Sequence, residues 1–227
     1  MPPPTKIDGR RQRSARTRAR IVEAAASLLL DRGYVSTTIE AVAEQAGVAV
    51  QTVYYVFNTK PNLLAAVLDV TIAGDPEPVA TLQRPWVDAL RHETDPTRAV
   101  GCLVEGSVAI IARTSPIYDV LRQAAADPEV NVLLDNIKRG RRHDQRQLVE
   151  ILSQSGHLHR DTDLDIAADI VYALINEEVF RLLTGDCGWS LDQFTRWARA
   201  LLLQQLLSDN PTSAKQRRSR STRSRTG

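Results

Sequence analysis

The stretch over residues 33–60 constrains the fold more than any other, because it contains two short helical patterns joined at one glycine. The first pattern places apolar residues three and four positions apart, which turns one side of a short helix toward a core. Those residues are Ile39, Val42, Ala43 and Ala46. Thr37 or Thr38 precedes this helix as a candidate N-cap. Gly47 follows it, where a left-handed C-terminal residue costs glycine no steric energy. The sequence therefore predicts a sharp turn between two helices.

The second pattern leaves a polar and aromatic face exposed. Val50, Val53 and Phe57 recur at helical spacing and are predicted to face inward. The remaining surface carries Gln51, Thr52, Tyr54 and Tyr55, with few charges and many hydrogen-bonding groups. Two helices joined by a tight glycine turn are typical of the helix-turn-helix unit, whose second helix fits the major groove of DNA. An ordinary corner in an all-helical enzyme has the same local pattern.

The residues from Arg18 to Leu63 resemble the TetR family of transcriptional regulators. The matching positions are Arg18, Ile21, Ala24, Ala25, Leu28, Gly33, Tyr34, Thr37, Thr38, Ile39, Val42, Ala43, Ala46, Gly47, Val48, Thr52, Val53, Tyr54, Phe57, Lys60 and Leu63. The resemblance implies an all-α fold with a three-helix DNA-binding head and a variable helical body. It also implies a homodimer that binds a small-molecule effector.

By position, the resemblance implies roles for single residues in DNA binding. Residues implied to contact phosphates are Thr38, Thr52, Tyr54 and Lys60, and those nearest the base edges are Val50, Gln51 and Tyr55. Two positions depart from the family pattern. Val56 stands where a histidine able to reach a phosphate is frequent. Ala49 stands where a capping serine is frequent, so the second helix lacks a side-chain cap that contributes about 1 kcal/mol.

Basic residues are concentrated at the two ends of the chain. Residues 1–20 carry seven lysines and arginines against one aspartate, and residues 211–227 carry six with no acidic residue. Since the whole chain has a formal charge of +2, the residues between them have a net charge of −10. Basic ends on an acidic body favour binding to a polyanion, and Arg16 and Arg18 are predicted to contribute to DNA binding beside the helix-turn-helix. A solvated tail, or a nonspecific nucleic-acid packaging protein, remains an alternative explanation.

Composition changes divide the chain into five predicted segments. These are a disordered basic arm (1–13), a DNA-binding domain (14–74, with its helix-turn-helix at about 37–56), a Pro-rich connection (75–94), a ligand-binding and dimerisation domain (95–208) and a disordered basic tail (209–227).

Helix starts in the body are marked by N-cap residues followed by proline, as in Asp95-Pro96, Ser115-Pro116 and Asp127-Pro128. Ser190 with Gln193 forms a possible capping box. These signals predict helices at 96–113, 116–125, 128–154, 163–184 and 190–208. No alternating strand pattern is present, so the predicted fold class is all-α.

The last two predicted helices are apolar on more than the single stripe that a surface helix needs. A helix with two apolar faces needs two partners, and a second copy of the same pair would form a four-helix bundle about a two-fold axis. The residues predicted to form this dimer interface are Val171, Leu174, Ile175, Leu182, Phe194, Trp197 and Leu201. Burial in a larger core of the same chain is the alternative.

Polar and aromatic residues embedded in the apolar body helices are candidates for the effector pocket that the resemblance implies. They are Trp86, Glu105, Arg113, Tyr118, Asn176 and Glu177. An acidic residue in such a pocket would favour a cationic ligand, although charged residues are mostly exposed. The sequence does not identify the effector.

An enzymatic function has little support in the sequence. The segment from His157 to Asp163 has metal-ligating residue types, but they fall in one predicted loop without a second cluster to complete a coordination shell. A phosphate-binding glycine loop and a nucleophile motif are also missing. We therefore predict no catalytic residue, no metal and no cofactor. Two widely separated cysteines, with neither a signal peptide nor an apolar run long enough to span a membrane, favour a cytoplasmic protein with no membrane partner.

Overall fold

The structure is a computed structural model that describes residues 6–74, 80–158 and 162–207, with side chains from residue 12 onward. Within these segments the chain is helical, and they contain no β-strand. The α-helices are α1 (Lys6–Ser36), α2 (Ile39–Ala46), α3 (Val50–Phe57), α4 (Lys60–Ala73), α5 (Pro85–His92), α6 (Pro96–Gln123), α7 (Pro128–Gln154), α8 (Leu164–Leu174), α9 (Glu177–Arg181) and α10 (Leu191–Leu207). A short 3₁₀ helix covers Thr81–Gln83, and a π-helical turn covers Leu182–Asp186. The predicted all-α fold class is confirmed.

The chain packs into two compact units. Among the described residues, the first combines 6–74, 80–81 and 109–141, and the second combines 82–108, 142–158 and 162–207. Helices α6 and α7 therefore each contribute one half to each unit. The predicted domain limits stay a prediction, and this grouping differs from them because part of the predicted body packs with the N-terminal helices. In the core of the first unit, Ile21, Val42 and Val53 from α1, α2 and α3 are buried together with Leu121 of α6 and Val130 of α7.

Helix α1 begins at Lys6, inside the stretch predicted as a disordered arm. Arginine favours helices, and the arginine-rich segment continues directly into the apolar stripe that packs in the core. Residues 1–5 of the predicted arm lie outside the described residues. The helical run is interrupted at Gly33, whose φ of 74° lies in the left-handed region that favours glycine.

Three of the predicted helix starts have the expected caps. Asp95 Oδ1 accepts from the Arg98 N–H at 2.8 Å, and Asp127 Oδ1 accepts from the Glu129 N–H at 2.9 Å. Ser190 Oγ accepts from the Gln193 N–H at 3.2 Å, while Gln193 Oε1 accepts from the Ser190 N–H at 2.7 Å. This reciprocal pair is the predicted capping box.

Two predicted helix boundaries were wrong. Helix α6 continues through Pro116, where the sequence predicts a break, because Ile117, Tyr118 and Leu121 extend its buried face beyond the proline. The single helix predicted at 163–184 is divided into α8, α9 and the π-helical turn. The division lies at Asn176, whose side chain donates to the Ala173 carbonyl at 2.8 Å and accepts from the Val179 N–H at 2.8 Å, so it offers the backbone an alternative to a continuous helix.

The predicted Pro-rich connection contains helix α5 in its described part, with Pro85 in the first turn. Helix α6 is long and apolar enough to cross a membrane by length and composition alone, but half of its most apolar window is buried inside the protein. A core helix passes the same test, so this feature is weak evidence for a membrane span.

The C-terminal helices of the second unit are held by aromatic packing and surface ion pairs. Phe180 and Phe194 meet edge to face with 5.1 Å between ring centroids, a favoured geometry for aromatic pairs. Arg142 Nε lies 2.8 Å from Asp169 Oδ1 and Arg146 Nε lies 2.7 Å from Asp165 Oδ1, which joins α7 to α8. Residues 208–227, which include the predicted basic tail, lie outside the described residues.

Candidate nucleic-acid interface

The turn between α2 and α3 has the geometry that the sequence predicts. Gly47 adopts a left-handed conformation with φ 63° and ψ 43°, and the following Val48 N–H donates to the Ala43 carbonyl at 2.9 Å. At the other end of α2, Thr38 Oγ1 accepts from the Ala41 N–H at 3.1 Å and is therefore the N-cap. Thr37 is buried instead, and its hydroxyl donates to the Gly33 carbonyl at 2.8 Å.

Helix α3 presents the predicted polar and aromatic face to solvent. Val53 and Phe57 are buried, whereas Tyr55 is 90% exposed and Tyr54 is 49% exposed. Gln51 is exposed, and Val50 and Thr52 are half-buried at the edge of the same face. Ala49 is the N-cap residue of α3 and makes no side-chain hydrogen bond to the helix. The exposed surface thus combines an amide and two phenols, which can donate and accept hydrogen bonds at base edges and phosphates.

Three exposed arginines of α1 have different environments. Arg16 makes no hydrogen bond or ion pair within the described residues. The Arg18 guanidinium lies 4.6 Å from the centroid of the Phe57 ring, at the end of α3. Arg20 donates from Nη2 to the carbonyl oxygens of Ala46 and Gly47, the latter at 3.2 Å. No sequence pattern indicates this contact of Arg20, because the residue is only one member of a basic run.

Lys60 lies in the first turn of α4 and contacts an aromatic ring. Its Nζ is 4.1 Å from the centroid of Tyr34, at the end of α1. Partial burial lowers the pKa of Lys60, and the charge of Asp127 opposes that shift. The Tyr34 hydroxyl donates to Asp127 Oδ2 at 3.3 Å. Burial, followed by the charge and the hydrogen bond of Asp127, raises the pKa of Tyr34 to about 12. The lysine implied to contact a phosphate is therefore held against this pair.

The junction of α3 with α4 contains a strained residue. Asn58 has φ 66° and ψ −51°, and the Thr59 N–H donates to the Phe57 carbonyl at 2.7 Å, which closes a γ-turn around Asn58. This turn is rare for residues other than glycine. Thr59 then caps α4 by accepting from the Asn62 N–H at 3.3 Å. The end of α3 is thus fixed relative to α4 by one tight turn.

Three of the predicted effector-pocket residues belong to α5, α6 and α9 in the second unit. Trp86 is half-buried and its ring covers Gly106, where an added Cβ would lie 2.3 Å from Trp86 Cε3. Glu177 is buried. Glu105 is exposed and lies 3.8 Å from Arg199, so it faces solvent rather than a closed pocket. The role of Glu105 in a pocket stays a prediction.

The other three predicted pocket residues have structural contacts of their own. Arg113 Nη2 donates to the Ile72 carbonyl at 2.9 Å and Nε donates to the Thr71 carbonyl at 3.4 Å, so it caps the C-terminal turn of α4. Tyr118 is buried in the core of the first unit. Asn176 caps α9. Their polar groups interrupt apolar patterns because they serve helix ends and the core. Their contribution to a pocket stays a prediction.

The residues predicted to form a dimer interface divide by exposure. Val171, Ile175 and Phe194 are fully buried by their own chain, so they cannot form an intersubunit surface in this conformation. The prediction was wrong for these three, because α8, α9 and α10 already bury one apolar face against each other. Leu182 is 49% exposed, and the remaining members are half-buried. The latter are Leu174, Trp197 and Leu201.

Potential metal ligands do not cluster among the residues that the structure describes. His157 is buried, and its Nε2 lies 2.8 Å from the Glu93 carbonyl oxygen, which gives it a structural partner. Asp163 caps α8 by accepting from the Asp165 N–H at 3.0 Å. His159 and Asp161, also part of the metal-like sequence, fall outside the described residues.

Comparison with known proteins identifies relatives of both sequence and fold. The family model of bacterial regulatory proteins, tetR family, matches residues 21–67. The HTH-type transcriptional regulator YdeS of Bacillus subtilis, itself uncharacterized, is 28% identical over 180 residues, which cover 78% of this chain and 83% of YdeS.

Solved structures share the fold at lower identity. The fatty acid degradation regulator FadR from Bacillus halodurans has a TM-score of 0.64 at 20% identity, covering 82% of this chain and 94% of that protein. A putative transcriptional regulator from Saccharomonospora viridis, solved in complex with choline, has a TM-score of 0.62 at 22% identity, covering 84% and 97%. These relatives are regulators rather than enzymes.

Proposed function

We propose that this chain, which belongs to the TetR family of bacterial transcriptional regulators, is a homodimeric repressor released from its operator by a small-molecule effector. The observation that carries the proposal is the exposed face of α3. Gln51, Tyr54 and Tyr55 point outward on a helix whose other side is anchored by Val53 and Phe57. A rigid helix with such a face can place side chains against base edges in the major groove.

In the proposed complex, side chains divide into positioning and reading groups. Thr38, Thr52, Tyr54 and Lys60 contact phosphates, and these contacts fix the register of the protein without reading sequence. Base edges are read by Val50, Gln51 and Tyr55. Arg16 and the other basic residues at the two ends of the chain, apart from Arg18 and Arg20, add salt-dependent affinity for any DNA.

A dimer explains how so short a helix achieves specificity. Two copies of α3 related by a two-fold axis would enter successive major grooves about 34 Å apart and read a near-palindromic operator. The exposed apolar residue Leu182 and the half-buried Leu174, Trp197 and Leu201 support an interface on the C-terminal helices. Such an isologous interface is the commonest arrangement for soluble homo-oligomers.

Release by an effector follows from a population shift. An effector weakens operator binding only by its differential affinity for conformations that do and do not fit the operator. The complex of the Saccharomonospora viridis regulator with choline supports a small-molecule ligand for this fold. Among the candidates for contacts with the effector, Trp86 is half-buried and Glu177 is buried. Neither a metal nor a cofactor is part of the proposal. A DNA-binding regulator of this kind acts in the cytoplasm.

The first test is a fluorescence-anisotropy titration at physiological salt. Wild-type protein is titrated onto duplexes that tile the DNA upstream of its own coding sequence, beside scrambled duplexes of the same composition. We expect one upstream duplex to bind about 1,000-fold more tightly than its scrambled partner, as is typical of specific binders. Equal binding to every duplex, including those obtained by selection from a randomised library, would identify a nonspecific DNA-binding protein and contradict the proposal.

Two substitutions in α3 test its orientation. Gln51→Ala is expected to change the base preference at one operator position by about 1–3 kcal/mol, whereas Tyr54→Phe is expected to weaken binding to all duplexes by a similar factor because it removes a phosphate contact. Uniform loss in both variants would mean that Gln51 does not face the bases.

A further inference from the structure

We propose that Arg18 and Arg20 are positioning residues for the recognition helix and not phosphate contacts. This inference rests on the proposed function for its meaning, because it concerns how α3 is held for reading DNA. Both side chains are exposed, and their positive charges belong to the basic run over residues 1–20. Their contacts lie within the protein, at the two ends of α3.

Arg20 holds the turn that leads into α3. Its Nη2 donates to the carbonyls of Ala46 and Gly47, where α2 ends. Carbonyls at a helix C-terminus lack partners within the helix and carry partial negative charge, so a guanidinium there is stabilising. An added Cβ at Gly47 would lie 2.8 Å from Arg20 Nη2, which shows how closely the guanidinium approaches the turn. The start of α3 follows three residues later, at Val50.

Arg18 holds the opposite end of the recognition helix. Its guanidinium carbon lies 4.6 Å from the centroid of Phe57, the last residue of α3, which is within the range of a cation–π interaction. The same arginine acts on α4, where its charge opposes the burial that raises the pKa of Asp69. A guanidinium in this place contacts both the ring that ends α3 and the helix that follows it.

The two arginines lie two positions apart on α1 and contact different parts of the helix-turn-helix. Residues at this spacing project in directions about 200° apart and do not face each other. Arg18 contacts the ring that ends α3, while Arg20 contacts the turn that precedes α3. Because α1 is anchored in the core of the first unit through Ile21 and Ala25, the pair fixes the recognition helix at both ends relative to one rigid element.

Arg16 provides a matched control on the same helix. It is exposed and has no hydrogen bond or ion pair among the described residues, so it is available to a phosphate. Substituting each arginine by methionine removes the charge and the donors while keeping an unbranched side chain with good helix propensity. The variants to compare are Arg16→Met, Arg18→Met and Arg20→Met, with Arg20→Lys as a conservative rescue.

The experiment measures affinity as a function of salt, on a duplex selected by the wild type from a randomised library and on a scrambled duplex. Arg16→Met is expected to lose affinity for both duplexes and to lower the slope of log K against log salt by about 0.9, as for one lost phosphate contact. Arg18→Met and Arg20→Met are expected to keep the wild-type slope and nonspecific affinity. Their specificity ratio should fall about ten-fold, and Arg20→Lys should recover part of that loss, because a lysine still donates to a carbonyl.

Loss of slope in Arg20→Met or Arg18→Met, as in Arg16→Met, would overturn the proposal by identifying a phosphate contact. An unchanged specificity ratio would overturn it as well. The fraction of protein able to bind DNA is titrated for each variant. A folding defect lowers that fraction but not the specificity ratio. Such a result would be a purely structural effect and would count against a positioning role for the arginine.

Amide hydrogen exchange without DNA separates this inference from the proposed function. Arg20→Met and Arg18→Met should raise the exchange rates of α3 amides, whereas Arg16→Met should leave them at the wild-type values. If the wild type selects no sequence, the proposed function fails, and exchange alone then decides whether the arginine pair holds α3. If the exchange rates of α3 amides are unchanged in both variants, the arginine pair does not hold α3.

Discussion

At the scale of single residues, the contact of Lys60 with Tyr34 and of Tyr34 with Asp127 joins the implied phosphate-binding site to the start of α7. Asp127 accepts from the Tyr34 hydroxyl with one carboxylate oxygen and from the Glu129 N–H with the other. The ammonium group of Lys60 lies over the ring of Tyr34. A single aspartate thus serves as helix cap and as hydrogen-bond acceptor, which ties three helices of the first unit together.

The raised pKa of Tyr34 predicts a pH dependence of stability. The folded-state pKa of about 12 lies above the unfolded value, which is about 10. The stabilisation by this phenol is therefore fully present below the unfolded pKa and is lost as the pH rises through the folded one. The free energy of unfolding of Tyr34→Phe should be roughly 1 kcal/mol lower than that of the wild type at neutral pH, because the variant lacks the hydrogen bond. This difference should shrink as the pH rises above 10.

Thermal or urea unfolding across that pH range measures the effect, with Tyr54→Phe as the control. Tyr54 undergoes the same chemical change on an exposed face of α3, so its stability should follow the wild-type pH profile. Lysine titration is common to all three proteins and cancels in the comparison. If the free energies of unfolding of Tyr34→Phe and wild type differ by the same amount at all pH values, folding does not raise the pKa of Tyr34.

At the scale of secondary-structure elements, the sequence predicted what depends on local chemistry. The α2–α3 turn at Gly47, the caps at Asp95 and Asp127 and the inward face of α3 were all predicted, because each follows from spacing or from one side chain acting on its own backbone. Contacts between residues far apart in the sequence were not predicted. Arg20 bonds to carbonyls 26 and 27 positions away, and no periodicity in the chain indicates that reach.

The same limit explains the effector candidates and the break predicted at Ser115-Pro116. A polar residue in an apolar helix was interpreted as part of a pocket, whereas Arg113 caps α4 and Tyr118 completes a core. Pro116 was interpreted as the start of a helix because Ser115 precedes it as a candidate N-cap residue. Packing on both sides of Pro116 outweighs the hydrogen bond that the proline removes.

Pro116 therefore predicts a stability difference between two prolines of the same helix. Within α6, Pro116 lacks an N–H that would bond the Ala112 carbonyl, and its ring crowds that carbonyl. Pro96 is in the first turn, where the missing N–H has no helical partner. Calorimetric unfolding should show Pro116→Ala stabilised by up to about 3 kcal/mol and Pro96→Ala unchanged or slightly less stable. An equal gain in both variants would show that the interior position of Pro116 is not the cause.

At the scale of the whole molecule, DNA reading by the proposed mechanism requires two chains, and the charge distribution requires that the dimer form through apolar contacts. The residues between the basic ends carry a net charge of −10, so two acidic bodies repel each other unless buried apolar area compensates. Exposed apolar side chains on the C-terminal helices of the second unit meet that requirement. They include Ile166, Leu182 and Leu191.

Sedimentation equilibrium of the wild type is expected to show a dimer, and a charge placed in its interface should dissociate it. Leu182→Asp would bury an unpaired carboxylate on association, which weakens the dimer by about 3 kcal/mol or more, or over 100-fold. Val132→Asp is the matched control, since Val132 is exposed to a similar extent, at 58% against 49% for Leu182, but lies on α7 in the first unit, outside the predicted interface. In Leu182→Asp, operator affinity should decrease together with dimer formation. In Val132→Asp, operator affinity should remain at the wild-type level. If Val132→Asp dissociates the dimer and Leu182→Asp does not, the interface lies on the first unit and the proposed C-terminal bundle is wrong.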